Sequence, residues 1–219
     1  MTNSEILGKI DHTLLKMTSS WEEIKTLCEE AVNFKTASVC IPPCYVKPVS
    51  YEFIGLNICT VIGFPLGYSI TASKVLETEY AVLSGANEID VVINMCDVKN
   101  GNFDYIKEEI RLIRETCTGA SGSRKIIKVI VETCYLTEEE KIRMCKIVTE
   151  AGADFIKTST GFGTAGAALA DIELFKKHIG SEVKIKASGG IKTRENIEAF
   201  INAGASRIGT SSAVKLLFS

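Results

Sequence analysis

One short phrase occurs three times in this chain, as SGANEIDVVI at 84–93, AGADFIKTST at 151–160 and AGASRIGTSS at 203–212. Each copy follows an amphipathic stretch and runs small residue, glycine, alanine, two further residues, then an apolar segment. A glycine just past a helix takes up the left-handed turn that ends it, and the short link drops the chain straight into a strand. The unit is therefore helix, glycine stop, strand. Its unequal spacing argues against a solenoid of fixed period.

Read from end to end, the chain predicts eight strands: a short one near Ile10–Thr13, then 37–41, 58–64, 88–94, 126–132, 154–159, 183–187 and 206–211. Helical stretches separate them. Two open with a capping box, Ser20 with Glu23 and Thr137 with Glu140, and a third starts at Thr193. Strands alternating with helices predict a parallel sheet, because each crossover must return the chain to the same end. Eight such units fit a small (β/α)8 TIM barrel, α/β in class, with residues 1–219 as one domain. An open doubly wound sheet is the alternative, but no GxGxxG follows the first strand and no GxxxxGK[ST] occurs.

A formal charge of −2 gives no footprint for nucleic acid, and no apolar run is long enough to span a bilayer. The start MTNSEILGKI lacks the layout of a signal peptide, so a cytoplasmic protein is expected. The 8 cysteines form no CxxC pair, and His12 and His178 are the only histidines. Neither a metal nor a cofactor is expected, and the thiols read as reduced, mostly core residues.

Two lysines interrupt this apolar pattern. Lys157 lies late in the sixth strand (DFIKTS) and Lys186 late in the seventh (VKIKA), while Asp90 lies within the fourth (EIDVVI). In a barrel, the C-terminal strand ends form the active-site mouth, so both ammonium groups can meet there if the register turns them inward. Two close, desolvated lysines repel, and one or both pKa values should fall. A neutral amine attacks an aldehyde or ketone to form a Schiff base, whose protonated imine draws electrons from a breaking C–C bond without a metal. Asp90, acting through a water, could carry the protons. Lys184 and Lys128 read instead as partners in structural ion pairs.

Glycine-bearing exits follow in order: STGFG at 159–163, SGGI at 188–191 and GTSS at 209–212. Glycines let backbone N–H groups approach an anion, serine hydroxyls add donors, and loops at this end of barrels often hold phosphate. A phosphorylated substrate is expected.

The segments IDHTLL (10–15), SVCIPP (38–43), GFPLG (63–67), NEIDVVIN (87–94), DFIKTSTGFG (154–163), KASGGI (186–191) and RIGTSS (207–212) closely resemble the deoxyribose-phosphate aldolase family, in order and nearly end to end. The resemblance implies a class I aldolase on a TIM barrel. It would reversibly cleave 2-deoxy-D-ribose 5-phosphate to D-glyceraldehyde 3-phosphate and acetaldehyde in deoxynucleoside catabolism. It further implies Lys157 as the Schiff-base lysine, Lys186 as the lysine that lowers its pKa, and Asp90 as part of the proton relay. Thr158, Gly161, Gly163, Gly189, Gly190, Gly209, Ser211 and Ser212 would hold the substrate, with Asp11 and Cys40 on the pocket wall. The expected partners are small phosphosugars and aldehydes, and a homo-oligomer is allowed.

Two departures from the family pattern stand out. After GFG the chain reads TAGAALADIELF, where Asp171 is expected to replace the family's capping threonine, and it ends in KLLFS without the tyrosine of some longer members. Proton exchange at the substrate carbon would then rest on Lys186, Asp90 and water. A transaldolase-like enzyme and a non-catalytic phosphosugar-binding barrel are the competing readings.

Overall fold

A computed structural model describes residues 1–118 and 124–218. Its strands are β1 (Ile10–Thr13), β2 (Ser38–Ile41), β3 (Ile58–Ile62), β4 (Glu88–Val92), β5 (Ile126–Ile130), β6 (Phe155–Lys157), β7 (Lys184–Ser188) and β8 (Arg207–Thr210). They close in sequence order into a parallel barrel, with β8 pairing back onto β1. The helices are α1 (Asn3–Leu7), α2 (Trp21–Phe34), α3 (Val46–Glu52), α4 (Thr71–Leu83), α5 (Met95–Lys99), α6 (Phe103–Thr116), α7 (Glu138–Glu150), α8 (Leu169–His178), α9 (Arg194–Ala203) and α10 (Ala213–Phe218). No helix among the described residues is long and apolar enough to cross a membrane.

Strand alternation divides the barrel chemically. Ile10, Val39, Ile58, Ile89, Val91, Ile127, Val129, Ile156, Ile185 and Ile208 belong to the large apolar core shared with the helices. Burying one such side chain is worth about 1.5–3 kcal/mol, which makes this outer layer the main source of stability. The opposite face of each strand carries what that core excludes. Asp11, Ser38, Glu88, Asp90, Lys128, Lys157, Lys186 and Arg207 converge on the barrel axis, where a barrel more often stacks branched aliphatics. A small apolar cluster, Cys40, Cys59 and Val61, shares that interior.

The repeated glycines do what their position predicts. Gly85, Gly152 and Gly204 follow α4, α7 and α9 with φ of 110°, 74° and 127°. Both capping boxes form, and Thr193 caps α9 through the Asn196 N–H. Strand ends are shorter than the apolar pattern suggests. The sixth strand stops at Lys157; Thr158 still bonds β7 through the Lys186 carbonyl, and Thr160 bonds Glu132 beyond β5.

Two expectations need correction. Asp171 does not cap α8: the cap position is Ala168, without a side-chain bond, and Asp171 instead accepts from Lys141 Nζ at 2.6 Å. The preceding loop is held by backbone, with the Ala167 N–H donating to the Ser188 and Gly189 carbonyls. Lys184 closes no ion pair among the described residues; it is exposed at the bottom of the barrel, its Nζ 5.9 Å from the Phe155 ring centroid.

These caps predict opposite outcomes for two substitutions. Ser20→Ala should lower unfolding free energy in urea by about 1 kcal/mol, and Ala168→Ser should raise it by a comparable amount. Equal, near-zero changes at both positions would show that the caps do not govern these helix ends.

Candidate active site

The register settles which side chains share the barrel's interior. Lys157 on β6 lies beside Lys186 on β7, Lys186 beside Arg207 on β8, and Asp90 on β4 beside Lys128 on β5. Asp90 is the hub. Its Oδ2 accepts from both Lys157 Nζ, at 2.7 Å, and Lys186 Nζ, at 2.6 Å, while its Oδ1 accepts from Lys128 Nζ at 2.7 Å. Lys128 also meets Glu88 at 2.6 Å, and Lys186 also binds Asp11. Arg207 closes the network by pairing with Asp11 and, at 3.0 Å, with Glu88.

Backbone shape admits this packing. Lys186 packs closely over Gly209 of β8, where a Cβ would lie 3.2 Å from the Lys186 Cε and 3.1 Å from the Ser188 Cβ and would crowd both. The loops after β6 and β7 meet through glycines as well: a Cβ on Gly166 would sit 2.2 Å from the Gly189 carbonyl oxygen.

The electrostatics overturn part of the expectation from sequence. Burial opposes the charge on Lys186, but the carboxylates of Asp11 and Asp90 outweigh it and hold the ammonium well above the usual lysine range. Burial likewise opposes the Asp90 anion, and Lys128, Lys157 and Lys186 together hold its carboxyl well below the usual aspartate range. Lys128 is raised in the same way, burial opposing its charge and Asp90 prevailing. The two strand-end lysines are thus not a bare repelling pair; one carboxylate oxygen bridges them, and Lys186 stays charged. Asp90 also reaches Lys157 directly rather than through a water.

Four basic side chains (Lys128, Lys157, Lys186 and Arg207) face three carboxylates (Asp11, Glu88 and Asp90) in this network. Loss of one proton brings it to balance. Position distinguishes the bases: Lys128 and Lys186 have no exposed side-chain surface, whereas Lys157 retains 4% and lines an open cavity of about 270 Å³.

That cavity receives much of the phosphate-loop prediction. Gly161, Gly189, Gly190, Gly209, Ser211 and Ser212 all line it. Other predicted residues lie elsewhere. Gly163 lines a neighbouring apolar cavity; Thr158 is buried beneath, bonded through its hydroxyl to Ser188. Asp11 is not on the cavity wall but under Lys186, held by Ser38 as well as Arg207. Cys40 packs against Cys59 and Val61, with Leu15 and Phe64 above them.

Sequence reading missed Glu88 and Arg207, and it saw Lys128 only as a structural pair. Alternation at 88, 90 and at 184, 186 was the available signal, but which carboxylate meets which base depends on barrel closure. Lys16 and Lys192, also on the cavity wall, were missed because both sit in loops without a pattern. Cysteine spacing also concealed that Cys40, Cys59 and Asp90 come together, their ligand-type atoms within 4.8 Å of one another; Lys128 already occupies Asp90 there.

The network makes stability depend on pH in a defined sense. Asp90, depressed from an ordinary 3.8, contributes stability above that value and loses it as pH falls through its folded value. Lys128 and Lys186, raised from 10.5, contribute fully below 10.5 and lose it as pH climbs through theirs. The contribution is therefore complete between those limits. At pH 7, Lys128→Met should lower unfolding free energy by about 3–5 kcal/mol, because it strips the buried Glu88 Oε2 and Asp90 Oδ1 of their ammonium partner. A loss under about 1 kcal/mol would contradict that account.

Comparison with known proteins agrees with the barrel fold. Residues 6–214 match the DeoC/LacD family of aldolases. The chain is 59% identical over 219 residues to a deoxyribose-phosphate aldolase of Clostridium botulinum, covering 99% of this chain and 96% of that protein. It is 57% identical over 213 residues to one from Clostridioides difficile, covering 97% and 95%. Among solved structures, the tetrameric deoxyribose phosphate aldolase of Aeropyrum pernix superposes with a TM-score of 0.90 at 30% identity, covering 99% of this chain and 91% of that one. With a closed eight-stranded barrel, a lysine at its open mouth and this extent of likeness, the chain belongs to the DeoC/LacD aldolase family.

Proposed function

We propose that this protein is a class I aldolase that reversibly cleaves 2-deoxy-D-ribose 5-phosphate to D-glyceraldehyde 3-phosphate and acetaldehyde, and that it serves deoxyribonucleotide catabolism in the cytoplasm. The observation that carries the reading is the position of Lys157. It is the lysine of the buried network that lines the open cavity, and its Nζ lies 2.7 Å from Asp90.

With its network balanced, Lys157 as a free amine attacks C1 of the open-chain sugar, and loss of water from the carbinolamine gives a protonated imine. The C2–C3 electron pair flows toward the iminium nitrogen as the C3 hydroxyl loses its proton. C3 becomes the aldehyde carbon of glyceraldehyde 3-phosphate, and the enamine left on Lys157 is protonated at C2. Hydrolysis then releases acetaldehyde and restores the amine. Asp90 joins Lys157 to Lys186 through one oxygen, so a proton can pass between them without leaving the barrel. Lys186, kept charged by Asp11 and Asp90, serves as the acid of the pair and not as a second nucleophile.

The substrate's phosphate fits the far wall of the same cavity. Gly161, Gly189 and Gly190 have left-handed φ of 89°, 83° and 73°, and Lys16 and Lys192 supply positive charge beside Ser211 and Ser212. A donor richer in hydroxyls, as a transaldolase would need, finds no feature here that favours it.

Borohydride added with acetaldehyde should fix a stable mass on the tryptic peptide bearing Lys157. Recovery of the label on Lys186 or Lys128 instead would refute the assignment. Lys186→Leu should lower kcat by about a hundredfold or more while the KM for the phosphosugar changes little. An unaltered kcat would show that Lys186 takes no part in the chemistry.

A further inference from the structure

We propose that Glu132 is a positioning residue that sets the phosphate affinity of this site by holding the loop after β6 in its binding shape. The inference rests on the phosphate reading given above and assigns a determinant of it that lies outside the substrate cavity.

Among the described residues, only Lys35 and Glu132 adopt a left-handed backbone without being glycine. Lys35 is exposed at the end of α2, an ordinary place for such a turn. Glu132 is different: it follows β5 at the active-site end of the barrel, has φ of 50°, and is 5% exposed. L side chains disfavour that conformation, so a buried one persists where the surroundings hold it.

Its side chain shows what it is held for. Both carboxylate oxygens accept from the Thr160 N–H, at 3.2 Å each, and the Oε2 also accepts from the Thr160 hydroxyl. The same hydroxyl accepts from the Phe162 N–H at 3.0 Å. Glu132 therefore fixes both ends of the Thr160–Gly161–Phe162 turn, the turn that places Gly161 on the cavity wall. A further constraint comes from Gly163, where a Cβ would lie 3.2 Å from the Glu132 Cδ and 2.8 Å from the Cys134 Sγ.

Glu132 itself lines the neighbouring apolar cavity of about 350 Å³, with Pro65, Ile93 and Met95, and not the cavity of Lys157. Thr160 lines both. The carboxylate thus grips the loop from behind, keeping a negative charge out of an anion site while ordering the backbone that serves it.

The test compares two acceptors with acetaldehyde as donor, D-glyceraldehyde 3-phosphate and unphosphorylated D-glyceraldehyde. Glu132→Gly removes the carboxylate and leaves a residue that accepts φ of 50° without strain. It should raise KM for the phosphorylated acceptor by roughly ten- to a hundredfold, with KM for D-glyceraldehyde and the trapping of acetaldehyde on Lys157 within about twofold of the parent. Thr160→Val, which removes the bridging hydroxyl, should behave likewise, and Thr160→Ser should retain parental affinity. Should Glu132→Gly fail to fold, the two Thr160 variants decide alone. Equal losses with both acceptors, or parental KM for the phosphorylated one, would overturn the proposal. A parent enzyme with no preference for the phosphorylated acceptor would instead remove the phosphate reading, a separate result seen before any variant is made.

Discussion

A carboxylate with three ammonium neighbours is the interaction on which the rest of this structure depends. Asp90 is wholly buried, as are Lys128 and Lys186. An isolated ion in that position costs several kcal/mol even after relaxation, so none of the three is tolerable without the others. The network therefore constrains the fold as a unit. Because side chains alternate along each strand, a one-residue slip of β4, β5 or β7 would drive its charges into the Ile and Val layer under the helices and bring that layer's aliphatics inside. The apolar outer face supplies the stability, and the ionic inner face penalises every register but one.

The same arrangement separates two lysines that look alike in sequence. Lys186 donates to Asp11 and Asp90 and has no surface; Lys157 shares one oxygen of Asp90 and faces the cavity. Lys128, Glu88 and Arg207 do not line that cavity. Their effect is to set how many carboxylates oppose how many cations behind Lys157. The two strand-end lysines are thus not a bare pair of neighbours but members of a network of seven charged groups.

Much of this was legible because it is local. The helix–glycine–strand phrase, the capping boxes and the apolar alternation each report on a few neighbouring residues, and those features yielded the eight strands and their order. Lys157, Lys186 and Asp90 stood out for a related reason, as charges inside apolar strands. What stayed hidden needs barrel closure. Arg207 meets Glu88 across 119 residues and Asp11 across 196, and no local pattern marks that contact. Asp11 was assigned to the pocket wall although it lies beneath Lys186, since a strand shows which side chains share a face but not their depth. Asp171 was misread because a cap is defined by backbone geometry, which placed Ala168 there instead.

Depth also explains how the site can couple a rigid centre to adaptable loops. The charged residues sit on strands, where paired neighbours fix each side chain on both sides. The glycine-bearing loops of the cavity wall sit one layer further out, on turns that approach one another at Gly161, Gly166 and Gly189 because no side chain intervenes. Such turns have no packing of their own to define their shape, so definition must come from beneath. The Ala167 N–H does this for one side by binding the Ser188 and Gly189 carbonyls, and Thr160 does it for the other through Glu132. The bonds that define these outer turns therefore engage none of the charged groups around Asp90, because Glu132 and the Ser188 and Gly189 carbonyls stand outside that ionic layer.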